Sequence, residues 1–537
     1  MKIPTRLTRL RDEIAAVEVL RRAGIVPTDP RALVAGGRAI VQLGPLGGLP
    51  AFCAAGHGDR VAIIDDRGEV TFAEFARRTH QLAYALRAQL SPSRPGVGIL
   101  CRNHSESVIA LFAANAIGAR VVLLNSDFSR QQVADVAARE RLECLLYDEE
   151  FGAAAEGFAG KRWCTWWADV EPLHSTKRLR AAYPSTLPPR PAQRAALVIL
   201  TSGSTGTPKG APRDNMNTAL LPAGLLRKIP LRPNDRILLS APIFHGWGLS
   251  IATLALVLGA TLVLHRRFDP ARAVRDLEAH ECTVFIAVPT MLRRVLALEE
   301  EVARADLRAL RIVASGGARL DPSVVSGVTD AFGQVLHNLY GSTEAAYITI
   351  ATPEDLAVSP DSAGRPTPGT TVRILDGDDK PVAVGATGRI LVRTPTQIDK
   401  YTDGTAKSRA DGFLDTGDVG HLDAAGALHV TGRSDGMIVS GGENVFPEEV
   451  EQALLAHPHI ADAAVTPVND PDFGQRLRAY IVPADDSLAV DDVREYLGAR
   501  LSRSRMPRDV IFVPDLPRGS SGKVLRRTLD ALQEAQP

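Results

Sequence analysis

Short apolar segments alternate with amphipathic segments along most of this chain, and the alternation restricts the folds that it can adopt. From Arg60 onward, strand-like runs such as 97–101 and 120–124 are separated by helix-like runs such as 106–117. Consecutive parallel strands need crossover connections of this kind, usually helices that cover the faces of the sheet. The pattern therefore predicts an α/β fold whose large N-terminal domain contains helix-covered, mostly parallel sheets.

The pattern changes past about Gly364, where the strands become shorter and the turns tighter, which indicates a β-rich subdomain. Residues 432–436 have the composition of a joint, and the alternation beyond them predicts a compact α+β unit. A chain of 537 residues is too long for a single core. We therefore expect an N-terminal extension over residues 1–50, a large domain over residues 51–432 and a small, mobile C-terminal domain over residues 433–537.

The composition is that of an ordinary globular protein, with 45% hydrophobic residues, 23% charged residues and a formal net charge of zero. This charge balance gives no electrostatic support for a nucleic-acid partner. The five cysteines are scattered and never form a C-x-x-C pair, which favours a reducing compartment over a disulfide or zinc scaffold. The first residues lack the apolar core of a signal peptide, so we expect a cytoplasmic protein.

One long segment, 237–264, carries no Asp, Glu, Lys or Arg and is long enough to cross a bilayer. Because a proline and several glycines interrupt it, we predict a buried strand, helix and strand instead. The cluster Trp163, Trp166 and Trp167 could touch a membrane surface, but we favour a core role and expect at most peripheral membrane contact. A homodimer is compatible with the sequence.

The ten residues 201–210 form the most informative loop of the chain. They follow a strand-like run and combine glycines and hydroxyl side chains with Lys209. Such a loop offers backbone N–H groups, hydroxyl donors and a cation, which together suit a polyphosphate. It is not the common P-loop, because Gly210 rather than Ser or Thr follows Lys209. A flexible surface loop is the alternative interpretation of this segment taken alone.

Further motifs follow this loop in a fixed order. They are Ala241-Pro242-Ile243-Phe244-His245-Gly246, Leu339-Tyr340-Gly341-Ser342-Thr343-Glu344, Asp415-Thr416-Gly417-Asp418, Gly432-Arg433-Ser434-Asp435 with Gly441-Gly442-Glu443-Asn444 after it, and Arg518-Gly519-Ser520-Ser521-Gly522-Lys523. In this order they closely resemble the adenylate-forming superfamily of acyl-CoA synthetases, peptide-synthetase adenylation domains and luciferases. The resemblance covers the chain from about Arg60 to Arg527 and is strongest to the branch of acyl-CoA synthetases and fatty-acid–CoA ligases.

The resemblance implies an AMP-forming acid–thiol ligase. Such an enzyme couples a small-molecule carboxylic acid to AMP, releases pyrophosphate and then transfers the acyl group to CoA. ATP, Mg²⁺ and CoA are the implied co-substrates and cofactor. A stand-alone acyl-AMP ligase that loads a carrier protein shares every adenylation residue and is the alternative. A nucleotide-binding protein without catalysis and a phosphoryl-transfer NTPase fit the motifs less well.

The resemblance also assigns nucleotide-binding residues. Lys209 and the loop would cradle the β- and γ-phosphates, Thr343 would bind the α-phosphate, and Glu344 would hold Mg²⁺. Tyr340 would stack on adenine, and Asp418 would accept the ribose hydroxyls. The alternative is that these residues have structural roles only, with Tyr340 as a core aromatic residue and Asp418 in a surface ion pair with Arg433. The other residues implied to bind ATP or AMP are Thr201, Ser202, Gly203, Ser204, Thr205, Gly206, Gly316, Gly317, Ala318, Asn338, Gly341, Ser342 and Arg433.

Two poses of the C-terminal domain are implied as well. Asp435 matches the hinge about which this domain rotates. In the first pose Lys523 enters the site and bridges the carboxylate and the α-phosphate, which makes Lys523 the chief catalytic candidate. In the second pose Lys523 leaves, and Gly441 and Gly442 help to form the tunnel for the pantetheine arm of CoA.

The acid itself is less well defined. Members that activate amino acids carry an Asp where this chain has His245, so an α-amino acid would leave its buried ammonium unpaired. His245 fits the fatty-acid and aryl ligases, in which this position separates the acyl and thiol channels. Trp247 and Gly248, with the apolar residues after them, predict a pocket for a hydrophobic acid such as a medium- or long-chain fatty acid or a bulky natural-product acid. Plain core packing is the alternative for this stretch. The chain departs from the family at Arg213 and Arg389, for which the sequence offers no explanation.

Overall fold

The computed structural model describes residues 6–25, 29–201, 208–213, 218–320, 322–433, 438–440, 443–445, 447–471, 473–485, 487–517, 524 and 529. The first part of the chain contains α1 (Arg6–Arg22), α2 (Pro30–Leu43), α3 (Pro45–His57), β1 (Val61–Asp65), β2 (Gly68–Thr71), α4 (Phe72–Gln89), β3 (Gly96–Leu100), α5 (Ser105–Ala116), β4 (Arg120–Leu123), α6 (Arg130–Glu140), β5 (Leu142–Asp148), α7 (Gly152–Ala155), β6 (Lys161–Trp166), α8 (Thr176–Arg180), β7 (Ala196–Thr201) and β8 (Lys209–Pro212).

The middle part contains α9 (Leu220–Lys228), β9 (Arg236–Leu239), α10 (Gly246–Leu258), β10 (Thr261–Leu264), α11 (Pro270–Ala279), β11 (Val284–Ala287), α12 (Pro289–Leu296), α13 (Glu299–Arg304), β12 (Ile312–Gly316), α14 (Pro322–Phe332), β13 (Leu336–Ser342), β14 (Ala346–Ala351), α15 (Pro353–Val358), β15 (Arg365–Pro366), β16 (Thr371–Leu375), β17 (Gly388–Arg393), β18 (Arg409–Ala410), β19 (Phe413–Leu422) and β20 (Leu428–Arg433). The last part contains β21 (Ile438–Ser440), β22 (Glu443–Val445), α16 (Pro447–Leu455), β23 (Ile460–Asp470), β24 (Gly474–Pro483), α17 (Val490–Gly498) and β25 (Asp509–Phe512).

Two large sheets form the framework of the N-terminal part. One has six strands in the order β6-β5-β3-β4-β7-β8, and the other has nine in the order β15-β14-β13-β12-β11-β9-β10-β1-β2. All neighbours from β6 to β7 are parallel, as are those from β13 to β1, and the antiparallel strands lie at the edges. Parallel strands bring their carboxyl ends to one edge of the sheet, where loops and ligands meet.

Local signals start the helices that connect these strands. The Thr71 hydroxyl accepts a hydrogen bond from the Glu74 N–H at 3.2 Å and so caps the N-terminus of α4. Ser129 and Gln132 form a reciprocal capping box at the start of α6. The apolar segment from β9 to β10 forms a buried strand, helix and strand as predicted.

Two smaller antiparallel sheets follow. A five-stranded sheet joins β16, β17, β18, β19 and β20, which confirms the predicted β-rich subdomain. The C-terminal sheet has the order β22-β21-β24-β23, with β25 parallel to β24. It carries its own hydrophobic core around Val465, Leu477 and Ile481, on which α16 and α17 pack. The predicted α/β fold with a smaller α+β C-terminal part is therefore confirmed, whereas the exact domain boundaries stay predictions.

The three N-terminal helices pack against the main core. Residues 30–57 together are long and apolar enough to cross a membrane by length and composition. They nevertheless form two helices that turn at Gly44, whose φ of +83° favours glycine, and α2 and α3 pack against each other. Trp163 and Trp166 are buried, which agrees with the predicted core role. All five cysteines are buried and free.

Candidate active site

A cavity of about 2020 Å³ opens at the carboxyl ends of the strands in the two large sheets. Ligand pockets for single small molecules are usually roughly 300–1,000 Å³, so this space is large enough for several ligand groups. The cavity brings together most predicted site residues, which come from separate strands, loops and one helix. Its lining includes Thr201, Lys209, His245, Trp247, Gly248, Gly316, Gly317, Ala318, Asn338, Tyr340, Gly341, Ser342, Thr343, Glu344 and Asp418.

Thr343 and Glu344 lie in the tight turn that joins β13 to β14. Ser342 pairs with Ala346 across this turn, so three residues connect the strands. Ala346 closes the turn with a φ of +62°, a left-handed conformation that costs a non-glycine residue roughly 1–2 kcal/mol. The turn thereby holds Glu344 at the cavity wall, with only 7% of the residue exposed.

Two side chains keep Glu344 ionised. Burial by itself would raise the pKa of Glu344, but the charge of Lys407 and a hydrogen bond from Tyr401 outweigh burial and lower the pKa below its ordinary value. The Tyr401 hydroxyl donates to Oε1 of Glu344 at 2.6 Å. Lys407 in turn donates to the Thr416 carbonyl at 2.6 Å. A buried carboxylate that stays charged at neutral pH is a suitable ligand for Mg²⁺.

Arg213, one of the unexplained departures, supports the same turn. Its guanidinium is buried and donates to the carbonyl of Thr343 and, at 3.0 Å, to the carbonyl of Thr396. Burial lowers the pKa of Arg213 to about 10, although nearby Glu344 opposes the shift. The guanidinium bridges two backbone carbonyls and thereby fixes the turn relative to the loop that follows β17. The other departure, Arg389, pairs with Asp415 at 2.8 Å.

The predicted adenine and ribose residues are brought together in one corner. The Tyr340 hydroxyl donates to Oδ2 of Asp418 at 2.6 Å. Gly316 ends β12, and Gly317 has a φ of +88°, which requires glycine at this point. Asn338 is buried and donates to the Ser362 carbonyl at 3.1 Å, so this amide supports the corner through the backbone.

Two further predicted residues, Arg433 and Lys209, each lie near another residue of the site. The backbone of Arg433 pairs with the backbone of Asp418, which brings β20 to the predicted ribose-binding residue. Lys209 is the first residue of β8, and its Nζ donates to Thr405 at 3.3 Å. Nζ also lies 5.4 Å from the ring centroid of Tyr401, the residue that binds Glu344. The loop cation therefore faces the same side of the cavity as the predicted metal ligand.

His245 lies between the N-terminal and C-terminal parts. Its Nε2 is 2.7 Å from Oε1 of Glu443, a residue of β22, and Asn125 donates to the same oxygen at 3.0 Å. Burial would lower the pKa of His245, but the charge and hydrogen bond of Glu443 raise it above its ordinary value. Burial likewise opposes the charge of Glu443, whose pKa is lowered by His245.

The residues predicted for the acyl pocket begin α10. Gly248 is buried, and a Cβ at this position would lie 2.3 Å from the Pro242 carbonyl oxygen, so only glycine fits. Trp247 lines the cavity, and its Nε1 is buried without a hydrogen-bond partner among the described residues. Both residues lie at the cavity wall, two and three positions after His245.

Several predicted residues lie outside the described residues. They are Ser202, Gly203, Ser204, Thr205 and Gly206 of the phosphate loop, the hinge Asp435, the tunnel residues Gly441 and Gly442, and Lys523. Their roles stay predictions from the resemblance.

Sequence reasoning missed four residues at the site, namely Arg213, Tyr401, Lys407 and Glu443. Each has a clear contact in the structure, but Tyr401 and Lys407 occur in a polar stretch without a recognisable pattern. A signal did exist for Arg213, which stood out as a departure from the family, and for Glu443, which directly follows the predicted tunnel glycines. In neither case did the sequence identify the partner.

Known proteins resemble this chain over most of its length. A family model for the AMP-binding enzyme matches residues 51–402, and a model for the AMP-binding enzyme C-terminal domain matches residues 449–523. Indoleacetate–CoA ligase from Aromatoleum aromaticum is 33% identical over 87% of this chain and 93% of its own length. Feruloyl-CoA synthase from an Amycolatopsis species is 33% identical over 90% of this chain and 97% of its own length.

A solved structure is similar over most of the chain. An amide bond synthetase from Marinactinospora thermotolerans has a TM-score of 0.80 and 29% identity, and the likeness covers 88% of this chain and 97% of that protein. This chain belongs to the AMP-binding enzyme family. It is an AMP-forming acid–thiol ligase of the acyl-CoA synthetase branch, which uses ATP, Mg²⁺ and CoA.

Proposed function

We propose that this ligase activates a hydrophobic carboxylic acid, with an aromatic ring, an alkyl chain or both, and transfers it to CoA. The observation that carries the proposal is the cavity wall along α10, where Trp247, Leu249 and Leu254 follow His245 with no ionised group between them. An apolar wall favours an apolar acyl group because transfer from water stabilises it. Relatives named for indoleacetate and feruloyl-CoA support an aromatic acid as one member of this class.

In the first half-reaction, an oxygen of the acid attacks the α-phosphorus of ATP and pyrophosphate leaves. Lys209 would stabilise the charge on the leaving phosphates, and the Thr343 hydroxyl would bind the α-phosphate oxygens. Glu344 would hold Mg²⁺, whose charge neutralises that of the phosphate groups when it is bound. Tyr340 and Asp418 would position the adenosine. Lys523 would stabilise charge that develops between the carboxylate and the α-phosphate.

In the second half-reaction, the CoA thiolate attacks the acyl carbon and AMP leaves. Glu443 contacts His245 at the cavity wall, and Glu443 directly follows Gly441 and Gly442 in the chain. We infer that this arrangement corresponds to the pose for thioester formation, in which the tunnel residues approach the site. The residues Asn469, Asp470 and Gln475 of the C-terminal sheet also line the cavity, which supports the same pose.

A panel of acids tests the proposal. The acids range from acetate through phenylacetate and cinnamate to long-chain and polycyclic acids, each with ATP, Mg²⁺ and CoA, and both AMP and acyl-CoA are measured by mass spectrometry. We expect AMP and acyl-CoA in equal amounts with hydrophobic acids and little with acetate. A preference for acetate or for a dicarboxylic acid would contradict the proposed substrate class.

The acceptor is the second question that this panel answers. A carrier-protein acceptor stays the alternative function, and the likeness to an amide bond synthetase adds an amine as a possible acceptor class. Acyl-adenylate without acyl-CoA would favour one of these acceptors over CoA. Addition of an amine to the same reaction separates them, because only amide formation consumes the adenylate without a protein partner.

A further inference from the structure

The cavity extends beyond the ends of the strands, along the length of α10. Lining residues Gly246, Ser250, Thr253 and Val257 recur at helical spacing, so one face of α10 borders the cavity. At 1.5 Å of rise per residue, these positions span about 16 Å of the helix axis. This part of the cavity along α10, here called the slot, is longer than a carboxylate and one small ring need. Residues outside the active-site loops must therefore form its far end.

The N-terminal helices also form part of the wall of this slot. From α3, Leu46, Leu49 and Phe52 line the cavity, and from α2 Ile40 lines it. All four side chains are apolar, and α3 packs against α10. Three of the four precede residue 51, where the match to the family model begins. The N-terminal segment, to which the sequence assigned no chemistry, therefore contributes directly to the substrate cavity.

Close backbone contacts fix these helices in place. A Cβ on Gly48 of α3 would lie 2.4 Å from the Ala39 carbonyl oxygen of α2, and a Cβ on Gly47 would lie 2.8 Å from Cα of Ala116 in α5. Contacts this short exclude any side chain, so the two helices pack directly on each other and on the core. The wall is thus a fixed part of the fold rather than a loosely attached arm.

The first helix is fixed by a different kind of contact. The carboxylate of Glu13 in α1 accepts a hydrogen bond from the Thr218 hydroxyl at 2.6 Å and one from the Ala219 N–H at 3.0 Å. These two donors lie at the start of α9, whose residue Leu221 lines the cavity. Leu20, about two turns further along α1, lines the cavity as well. The carboxylate therefore holds α1 against the same slot.

We propose that α1, α2 and α3 form the distal wall of the acid-binding site and limit the length of the acid. The substrate class that follows is a monocarboxylic acid with an extended apolar body, either an alkyl chain or a ring that carries an alkyl chain. This apolar body lies along α10 and ends against Ile40, Leu46 and Phe52. This inference rests on the proposed function, because it assumes that the carboxylate binds beside His245. Each methylene added before the wall is reached should raise kcat/KM about fourfold.

A series of ω-phenylalkanoic acids tests the wall in the full-length enzyme. The series starts at phenylacetate and adds methylenes one at a time, with AMP and acyl-CoA measured for each acid. For wild type, we expect kcat/KM to rise with length and then to fall at the length that reaches the wall. In Leu46→Trp the fall should come at a shorter acid, and the ratio of long-acid to short-acid kcat/KM should drop at least about tenfold. In Phe52→Ala the fall should come at a longer acid.

A matched control adds the same bulk on the outer face of the same helical hairpin. Val34 of α2 is 72% exposed, so Val34→Trp should leave the length profile at its wild-type position. Circular dichroism and thermal melting report folding, and if Leu46→Trp does not fold, the profile of Phe52→Ala decides. An active wild type whose length profile does not shift in a folded wall variant would overturn the inference. A wild type that forms no AMP with any acid would instead overturn the proposed function, and the inference with it.

Discussion

Nε2 of His245 and Oε1 of Glu443 lie 2.7 Å apart, so a single ion pair joins the start of α10 to strand β22 of the C-terminal part. The two residues are 198 positions apart in the chain. The contact connects His245, which precedes the predicted acyl-pocket residues, with the residue after the predicted tunnel glycines. The position of the C-terminal part is therefore coupled to the substrate side of the cavity.

The charge state of this pair should depend on pH in a defined direction. The pKa of His245 is raised above 6.5, and that of Glu443 is lowered below 4.5. The stabilisation from His245 is full below pH 6.5 and is lost as the pH rises through the raised pKa of His245. The stabilisation from Glu443 is full above pH 4.5 and is lost as the pH falls through the lowered pKa of Glu443. The pair should therefore stabilise the observed pose most between these two values.

Replacement of Glu443 tests the pair. In Glu443→Gln the imidazole keeps its burial but loses the carboxylate charge, so the pKa of His245 should fall below its wild-type value. NMR titration of labelled histidines measures the change, with His245→Asn used to assign the signal. The rate of thioester formation from preformed acyl-adenylate should fall as well. An unchanged pKa of His245 in the variant would show that the two groups do not interact in solution.

The hydroxyl of Tyr401 should matter for binding of the Mg²⁺–ATP complex. Tyr401→Phe removes the donor that holds Oε1 of Glu344, and a hydrogen bond to a charged group contributes roughly 1.5–3 kcal/mol. We therefore expect the KM for Mg²⁺–ATP to rise at least about tenfold, while the KM for CoA stays the same. Tyr84→Phe is the control, because its hydroxyl contacts only Thr186 and the Leu187 carbonyl among the described residues, both at 3.4 Å. Equal KM values for Mg²⁺–ATP in the two variants would contradict this role.

The turn that carries Glu344 should become more stable when its strained residue is replaced. Ala346 has a φ of +62°, and Ala346→Gly removes a cost of roughly 1–2 kcal/mol at the expense of roughly 0.5–1 kcal/mol of chain entropy. The free energy of unfolding should rise by about 0.5–1 kcal/mol, measured by urea denaturation. Ala351→Gly, in the same strand but at an ordinary φ, should lower it. Destabilisation of similar size in both variants would mean that the turn is not strained.

The lysine near the C-terminus should act in one half-reaction only. Lys523→Ala should slow formation of the acyl-adenylate at least about a hundredfold, because a well-placed donor stabilises the transition state by roughly 3 kcal/mol or more. Thioester formation from preformed acyl-adenylate should largely survive. Single-turnover measurements of each step test this, with the exposed Lys177→Ala as a control. Equal losses in both steps would exclude the two-pose interpretation.

Much of the fold and part of the site followed from local patterns. The alternation of strands and helices predicted the parallel sheets, because the spacing of apolar residues within each segment is enough to identify it as a strand or a helix. The Thr343-Glu344 pair and Tyr340 were identified from one motif, and the structure brings them to one cavity. Their neighbours Tyr401 and Lys407 were not identified, because a contact between segments depends on how distant loops fold together rather than on any local pattern.

The amino-acid sequence by itself determined the class of fold, the order of the motifs and the chemistry that they offer, since each follows from residues in their order along the chain without knowledge of which segments contact each other. The tertiary structure decided which groups support them. Arg213 reaches the Thr343 carbonyl across 130 positions, and Glu443 reaches His245 across 198. It also decided that α2 and α3 border the cavity. An apolar helix sequence predicts that the helix is buried, but it does not identify the part of the protein against which the helix packs.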